Sequence, residues 1–348
     1  MSLTPHWLPT GWFQVGWSDD IQMGTVRPLR YFGHELVAFR DDDGTLHILD
    51  AYCRHLGGHL GYGGRVQGEC VVCPFHGWHW DPLGRNTHIP YQPDRPNRSR
   101  RLRAWPVREQ FGVVYLWHDI EGREPSWEPP NIFTDTGRHT RDLDYHPSAP
   151  RGLIRYGALP LHPQLVLENA ADPIHFRYVH GTKHHPVFLR RWEDESRWFS
   201  QIGFGSRWRE MDPESHDGDT LSILAAGVGL SYTSLSGLSN TLILLSTTPI
   251  EAGSSEMFQT VWLEKLPGDD APGALQARID AATAQLPRDI TIWSHQRFED
   301  PPALATIEGR AFTDLRCWAR RFYPDTAVTP RLLSATTGYT HPQSGIPL

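Results

Sequence analysis

The chain has 348 residues, 39% of them hydrophobic and 21% charged, with a formal net charge of −7. This is the composition of a folded protein with room for two ordinary domains, not of a disordered chain, and the acidic balance argues against nucleic acid as a partner. Four Cys in a chain this long, with Cys317 isolated far from the others, do not make a stapled secreted scaffold.

The first dozen residues lack a positive region followed by an apolar one, and no window approaches eighteen consecutive apolar residues, so a cytoplasmic protein without a membrane span is expected. Residues 11–17, 35–40, 45–50, 69–73, 104–109 and 111–117 read as short strands, with a turn at 41–44. Short alternating strands with close turn signals predict an all-β domain.

Two metal-binding signals interrupt these strands: Cys53-Arg54-His55 and Cys73-Pro74-Phe75-His76. Thiolates suit iron–sulfur clusters and imidazole suits iron as well. Two Cys with two His, one of each per loop, form the ligand set of a Rieske [2Fe–2S] centre, which moves electrons singly. Gly57, Gly58, Pro74 and Gly77 permit tight turns beside a cofactor, and the aromatics around His76 supply an apolar shell. A zinc site of Cys70, Cys73, His55 and His76 is the alternative. It leaves the order Cys-x-His then Cys-x-x-His unexplained, so Cys70 is read as a buried strand cysteine. The run containing Arg95, Arg98, Arg100, Arg101 and Arg103 is read as a solvated arm in preference to a docking face for an acidic electron donor.

Residues 121–133 form a Pro-rich connector. Beyond it, 221–235, 242–250 and 256–266 look like strands. Leu275, Ile279, Ala282 and Leu286 then recur at helical spacing, Pro287 starts a second helix carrying Ile290 and Trp293, and a third covers 312–322 with Phe312, Leu315, Ala319 and Phe322 on one side. Strands followed by helices indicate an α+β second domain. The expected division is 1–130, with a cluster-binding part at about 11–118, and 131–348.

Between connector and sheet lies Glu168-Asn169-Ala170-Ala171-Asp172-Pro173-Ile174-His175, followed by His180 and Gly181. Two His near carboxylates suggest half of a 2-His-1-carboxylate site for non-haem Fe(II). A five-residue spacing separates side chains by about 140° on an ideal helix, so both reach one metal only if the helix ends near His180, which Gly181 allows. Asp172-Pro173 also reads as a plain helix start, Asp at N-cap and Pro at N1. An upstream cluster that delivers single electrons needs an acceptor, and this favours the metal reading.

The two motifs in this order resemble the terminal oxygenase component of Rieske non-haem iron oxygenases. The phrases around Cys53, Cys73, Asp172, Asp289 and 312–325 are most similar to the branch of bacterial 3-ketosteroid 9α-hydroxylases and Neverland-type cholesterol desaturases. The resemblance implies an all-β Rieske domain and a helix-grip catalytic domain with an antiparallel sheet flanked by helices. It implies Cys53 and Cys73 on the inner iron, His55 and His76 on the outer iron, and His175 and His180 on the catalytic Fe(II). It further implies that Asn169 lies near that iron, and that Asp172 links a cluster histidine to an iron-ligating histidine across a subunit boundary of a homotrimer. The third iron ligand is open among Asp280, Asp289, Glu299, Asp300 and Asp314. Asp289 is preferred because Asp289-x-x-x-Trp293 resembles a phrase of the sterol-oxidising branch, although an acid opening a helix is also ordinary charge balance. Asp300, before Pro301-Pro302, reads as a helix-ending turn.

The function expected is activation of O2 to hydroxylate a hydrophobic, steroid-like substrate with electrons from a separate NAD(P)H-dependent flavin reductase, since no nicotinamide site is apparent. The stretch 221–238 is expected to face that substrate. The rivals are O- or N-demethylation or aromatic-ring oxygenation with the same centres, and a non-catalytic Rieske electron carrier.

Overall fold

The computed structural model describes residues 7–137, 140–183, 185–204, 220–236 and 240–324. The N-terminal part is all β. Strands β1 (Gly11–Trp17), β2 (Val26–Tyr31), β3 (His34–Arg40) and β4 (Leu46–Asp50) precede the first Cys-His loop. β5 (Arg65–Gln67) and β6 (Cys70–Val72) precede the second loop, then come β7 (His79–Trp80), β8 (Asn86–His88), β9 (Ala104–Trp105), β10 (Val107–Gln110) and β11 (Val113–His118). They form three sheets, ordered β1-β11-β10, β2-β3-β4-β9 and β5-β6-β7-β8. The single strand expected at 104–109 is two. Pro106 cannot donate to a ladder, so Ala104 pairs with Leu49 on one sheet while Val107 pairs with Leu116 on another.

The C-terminal part is a seven-stranded antiparallel sheet with helices. β12 (Leu153–Leu159) is followed by α1 (Pro163–Leu167), a 3-10 turn at Glu168–Ala171 and α2 (His175–Tyr178). Then come β13 (Val187–Glu193), β14 (Arg197–Gly203), β15 (Thr220–Ala226), β16 (Leu230–Ser236), β17 (Thr241–Glu251), β18 (Ser254–Leu263), α3 (Ala274–Thr283), α4 (Leu286–Trp293) and α5 (Gly309–Ala319). The sheet runs β12-β18-β17-β16-β15-β14-β13. The single strand expected at 221–235 is a hairpin, because the chain reverses at Gly227, whose φ is +57°, and Ala226 pairs with Leu230. The first predicted helix stops at Thr283, and Leu286 belongs to the next helix, with Pro287 in its first turn. β12, β13 and β14 were not expected from the sequence.

Strand alternation divides this sheet into two working faces. Leu224, Tyr232, Leu242, Leu244, Phe258 and Trp262 are buried in one core with Trp12, Phe13, Phe32 and Trp117 of the N-terminal part. The intervening residues, among them Leu221, Ile223, Thr233, Ile243 and Leu245, line a cavity on the other face. Polar contacts fasten the two halves across the first face. Trp17 Nε1 donates to Thr260 Oγ1 at 2.9 Å, and Arg155 bridges Asp20 (2.7 Å) and Glu256 (3.2 Å).

Candidate metal centres

The two Cys-His loops are built on the same backbone plan. Cys53 N–H donates to Gly58 O at 2.9 Å and Gly57 N–H to Cys53 O at 2.9 Å; Cys73 N–H donates to Trp78 O at 2.9 Å and Gly77 N–H to Cys73 O at 3.0 Å. Each turn closes through a glycine at positive φ, +75° for Gly57 and +71° for Gly77, which a side chain would strain. The plan sinks both thiols, each 2% exposed, and leaves His55 and His76 in the partly exposed outer layer with ring centroids 4.7 Å apart. The His55 ring stacks on Trp78 at 4.5 Å, Trp78 Nε1 donates to Tyr91 OH at 2.8 Å, and Trp80 Nε1 donates to Cys53 Sγ at 3.3 Å.

The chemistry of this donor set fits an iron–sulfur cluster. A hydrogen bond from Cys53, against the opposing effect of burial, lowers the Cys73 thiol pKa below its ordinary value, and the same contact raises that of Cys53. The contact favours the thiolate form of Cys73, the form that ligates a metal. His76 Nδ1 is buried without a hydrogen-bond partner among the described residues, a position that a metal ligand explains. Cys70 starts β6 with its Sγ 3.4 Å from Thr87 Oγ1 on β8, the buried strand cysteine expected.

The second constellation is assembled from distant segments. Asp172 Oδ1 accepts from the N–H groups of Ile174 (3.0 Å) and His175 (3.1 Å), so the Asp-Pro pair starts the single turn of α2. That turn ends at Tyr178, and Gly181 takes φ +73°. His180 is thus off the helix, and the awkward five-residue spacing ceases to separate the two imidazoles. His175 Nδ1 donates to the Asp172 carbonyl, which directs Nε2 inward, 3.5 Å from Asn169 Nδ2. Asp289, 7% exposed on α4 between buried Leu286 and Trp293, puts Oδ1 3.3 Å from His180 Nε2.

Ligand atoms of His175, His180 and Asp289 all lie within 4.8 Å of one another, the one such group of three among the described residues. Burial lowers the His175 pKa, which keeps the ring neutral and fit to ligate. His180 turns Nε2 to Asp289, while its Nδ1 is buried and without a partner among the described residues. The other carboxylates go elsewhere: Asp280 accepts from Gln276, Asp314 faces Arg191 and Arg310, and Asp300 and Glu299 lie in the loop between α4 and α5.

The trio forms part of a wall between two hollows. On its inner side is a cavity of about 690 Å³, lined by the alternate sheet residues together with Phe176, Leu286 and Trp293. On its outer side is a crevice of about 130 Å³ that includes Asp172, Glu168 and Val179. His175, Asp289, Asn169 and Trp293 line both. Every lining residue of either hollow follows residue 164, so neither cluster loop of this chain reaches them. Asp172 faces the outer crevice with Oδ2 3.8 Å from His175 Nδ1.

A structural support escaped the sequence reading. Glu168, 6% exposed, is gripped by Arg316 of α5 through Nε–Oε1 (2.8 Å) and Nη2–Oε2 (2.9 Å). The only signal was Glu168 itself, an acid with no chemical role at the head of the motif.

Residues 11–106 match the Rieske [2Fe-2S] domain, and residues 116–323 match the 3-ketosteroid 9alpha-hydroxylase C-terminal domain. The chain belongs to the Rieske non-haem iron oxygenases. Its fold is the expected one, an all-β Rieske domain followed by an α+β catalytic domain, and its cofactors are a Rieske [2Fe–2S] cluster and mononuclear iron, with O2 as co-substrate. Among relatives of this oxygenase, cholesterol 7-desaturase of Hemicentrotus pulcherrimus is 28% identical, over 93% of this chain and 71% of the relative. The oxygenase component of 3-ketosteroid-9-alpha-monooxygenase from Rhodococcus rhodochrous is 28% identical, over 92% and 85%. In fold it is similar to dicamba monooxygenase bound to dicamba, with TM-score 0.66, 16% identity and 92% and 98% coverage. It is also similar to Pseudomonas putida CBB5 NdmA with caffeine, with TM-score 0.68, 16% identity and 89% of each chain covered. Among the described residues no helix is long and apolar enough to cross a membrane.

Proposed function

We propose that this oxygenase hydroxylates a hydrophobic, steroid-like substrate bound in the 690 Å³ cavity against His175, His180 and Asp289. The observation that carries this reading is the trio's position at the wall of a large cavity whose sheet face is mostly aliphatic, a size that suits one drug-sized molecule. The substrate class is supported by relatives named for cholesterol and 3-ketosteroids. Cys53, Cys73, His55 and His76 would hold the cluster, and His175, His180 and Asp289 the mononuclear iron. That iron, when bound, supplies the activation of O2 and leaves coordination positions open.

The chain's own residues do the rest. The Asp172 carbonyl fixes the His175 tautomer and orientation. Asn169 sits beside His175 Nε2 and shapes the space next to the metal. Phe176, Leu286 and Trp293 keep the inner side dry. Asp172, on the outer side, is positioned to accept a hydrogen bond from a cluster histidine of a neighbouring subunit while holding its own turn through Oδ1. This crossing requires an oligomer, and a homotrimer is the form proposed. A division of the chain at about residue 130 is supported by β11, which pairs with β1 and β10. A separate NAD(P)H-dependent reductase would supply electrons, and a cytoplasmic setting is proposed because the cluster loops need reduced thiols.

Iron counting with a variant tests the scheme. The purified protein should hold about three irons per chain. His175→Ala should hold about two, keep the visible spectrum of the cluster and lose turnover of a steroid panel supplied with reductase. A wild type with about two irons, or turnover confined to methoxy- or N-methyl-aromatics, would overturn it.

A further inference from the structure

The arginine run after the second Cys-His loop is solvated, as expected, but its backbone is tied to the shell of the cluster loops. Tyr91 opens the segment and its OH accepts from Trp78 Nε1, and Trp78 stacks on His55. Asn97 N–H donates to Asn86 Oδ1 at 2.8 Å, and Leu102, 2% exposed, puts its N–H on Gly84 O at 2.9 Å. Arg101 O accepts at 3.2 Å from Nε of Arg54, the residue between Cys53 and His55. The charges themselves are left over. Arg95, Arg98, Arg100 and Arg101 are exposed, and no carboxylate among the described residues pairs with any of them or with Arg103. Elsewhere in the N-terminal part, Arg27, Arg30, Arg40, Arg54, Arg85 and Arg108 each meet a carboxylate. Five like charges on a fixed backbone repel one another and focus a positive field beside the cluster loops, in a chain whose net charge is −7.

The crevice at Asp172 of a second copy is a poor partner for them. Its carboxylates are already engaged: Glu168 by Arg316, Asp172 Oδ1 by the N–H groups of Ile174 and His175, and Asp289 by His180. Cations stand beside it, Arg177 exposed on α2 and Arg288 donating to Val179 O at 3.3 Å. We propose that Arg95, Arg98 and Arg100, with Arg101 and Arg103, form the docking face for an acidic iron–sulfur protein that reduces the cluster. The donor loses one electron and the cluster gains it, with no bond made or broken. Docking there sets the donor against the Tyr91–Trp78–His55 stack and against Arg54. The inference rests on the reading that a separate protein supplies the electrons, and it names the face and the charge of that partner.

The probe is a plant-type [2Fe–2S] ferredoxin of strongly negative net charge. Calorimetry with the oxidised ferredoxin gives Kd for the cluster-loaded protein, and stopped flow with the reduced ferredoxin gives the rate of cluster reduction, each at about 0.02 M and about 0.5 M salt. Arg98→Glu combined with Arg100→Glu should raise Kd and lower the rate by about tenfold or more at low salt, and should match wild type at high salt. Arg151→Glu combined with Arg320→Glu, at exposed positions of the catalytic part, makes the same change in net charge and should move both by less than about threefold. Reduced methyl viologen, a small cation, should reduce the first variant at least as fast as wild type, which separates lost docking from a damaged cluster. Equal losses in the two variants, or a wild type whose affinity and rate ignore salt, overturn the proposal and leave the separate donor standing. A first variant that keeps wild-type ferredoxin affinity but sediments as a smaller species also overturns it, and gives the arm to a second copy. A purified chain with no reducible cluster removes the reading and the proposal together.

Discussion

Replacing Arg316 with Met isolates the support beneath the mononuclear site. Arg316 meets Glu168 in a two-point contact, with side-chain exposures of 13% and 7%. It also donates to Glu299 O at 2.6 Å and lies 4.3 Å from the Phe298 ring centroid. Removing the guanidinium strands a carboxylate whose remaining side-chain donor is Gln164 at 3.2 Å. Breaking a buried pair from one side costs about 3–5 kcal/mol, whereas replacing both partners by apolar groups is close to neutral. At about 2–4 °C per kcal/mol for a domain of roughly 200 residues, the single variant should lower the catalytic-domain transition by at least about 6 °C. Glu168→Leu combined with Arg316→Met should recover most of that. Because Glu168 precedes Asn169 and the turn carrying His175, the single variant should also lose mononuclear iron while keeping cluster absorbance. Calorimetry with iron counting on the three proteins decides it. A single variant within about 1 kcal/mol of wild type, or a double variant as unstable as the single, refutes the argument.

The acid sensitivity should have one identifiable source in His118. Burial lowers its folded pKa to about 4, with a backbone hydrogen bond to Pro9 O opposing and Arg103 adding to the shift. The unfolded chain binds this proton near pH 6.5, so stability is full above about 6.5 and falls by about 3 kcal/mol as pH drops to about 4. His118→Asn should flatten the change in urea midpoint between pH 7 and pH 5; a slope equal to wild type counts against it. A Cβ on Gly64 would lie 2.0 Å from Leu60 O beside the first cluster loop, so Gly64→Ala should cost about 2 kcal/mol and reduce cluster absorbance per protein. Full cluster loading in Gly64→Ala contradicts this. Asp289→Ala should drop iron from about three to about two per chain while Asp300→Ala leaves it unchanged, and the opposite pattern would transfer the third ligand to Asp300.

Much of the site was legible because ligand chemistry restricts residue types over short spans. The two Cys-His loops, the Asp172-Pro173 start and the Gly181 stop lie in local sequence, and each local preference agrees with the backbone found. The proposed third ligand is different. Asp289 is 109 residues beyond His180, and only the packing of Leu286 and Trp293 of α4 against Leu165, Val166 and Met257 brings it to the imidazoles. No periodicity encodes such a juxtaposition. Two of the missed strands share a physical cause as well: β12 and β13 are the sheet edges and half-buried, so neither shows the alternation of a strand with one face in the core. The β15–β16 hairpin was read through because Ala226-Gly227-Val228-Gly229 holds no polar turn residue and is itself buried.

That buried hairpin also fixes the register on which both functions of the sheet depend. Phe13 packs where a Cβ on Gly229 would come within 2.3 Å of its ring, so the N-terminal core seats directly on the turn. A one-residue slip of β16 would send Tyr232 into the cavity and Ser231 and Thr233 into the core shared with Trp12 and Phe13. The Rieske half therefore does more than carry a cluster. By covering one face of the sheet it holds in place the opposite face, where Leu245, Ile243 and Gln259 stand across the cavity from His175, His180 and Asp289. The crevice at Asp172 and the larger cavity are then kept apart by the residues that line both, Asn169, His175, Asp289 and Trp293, whose positions depend on the same sheet register.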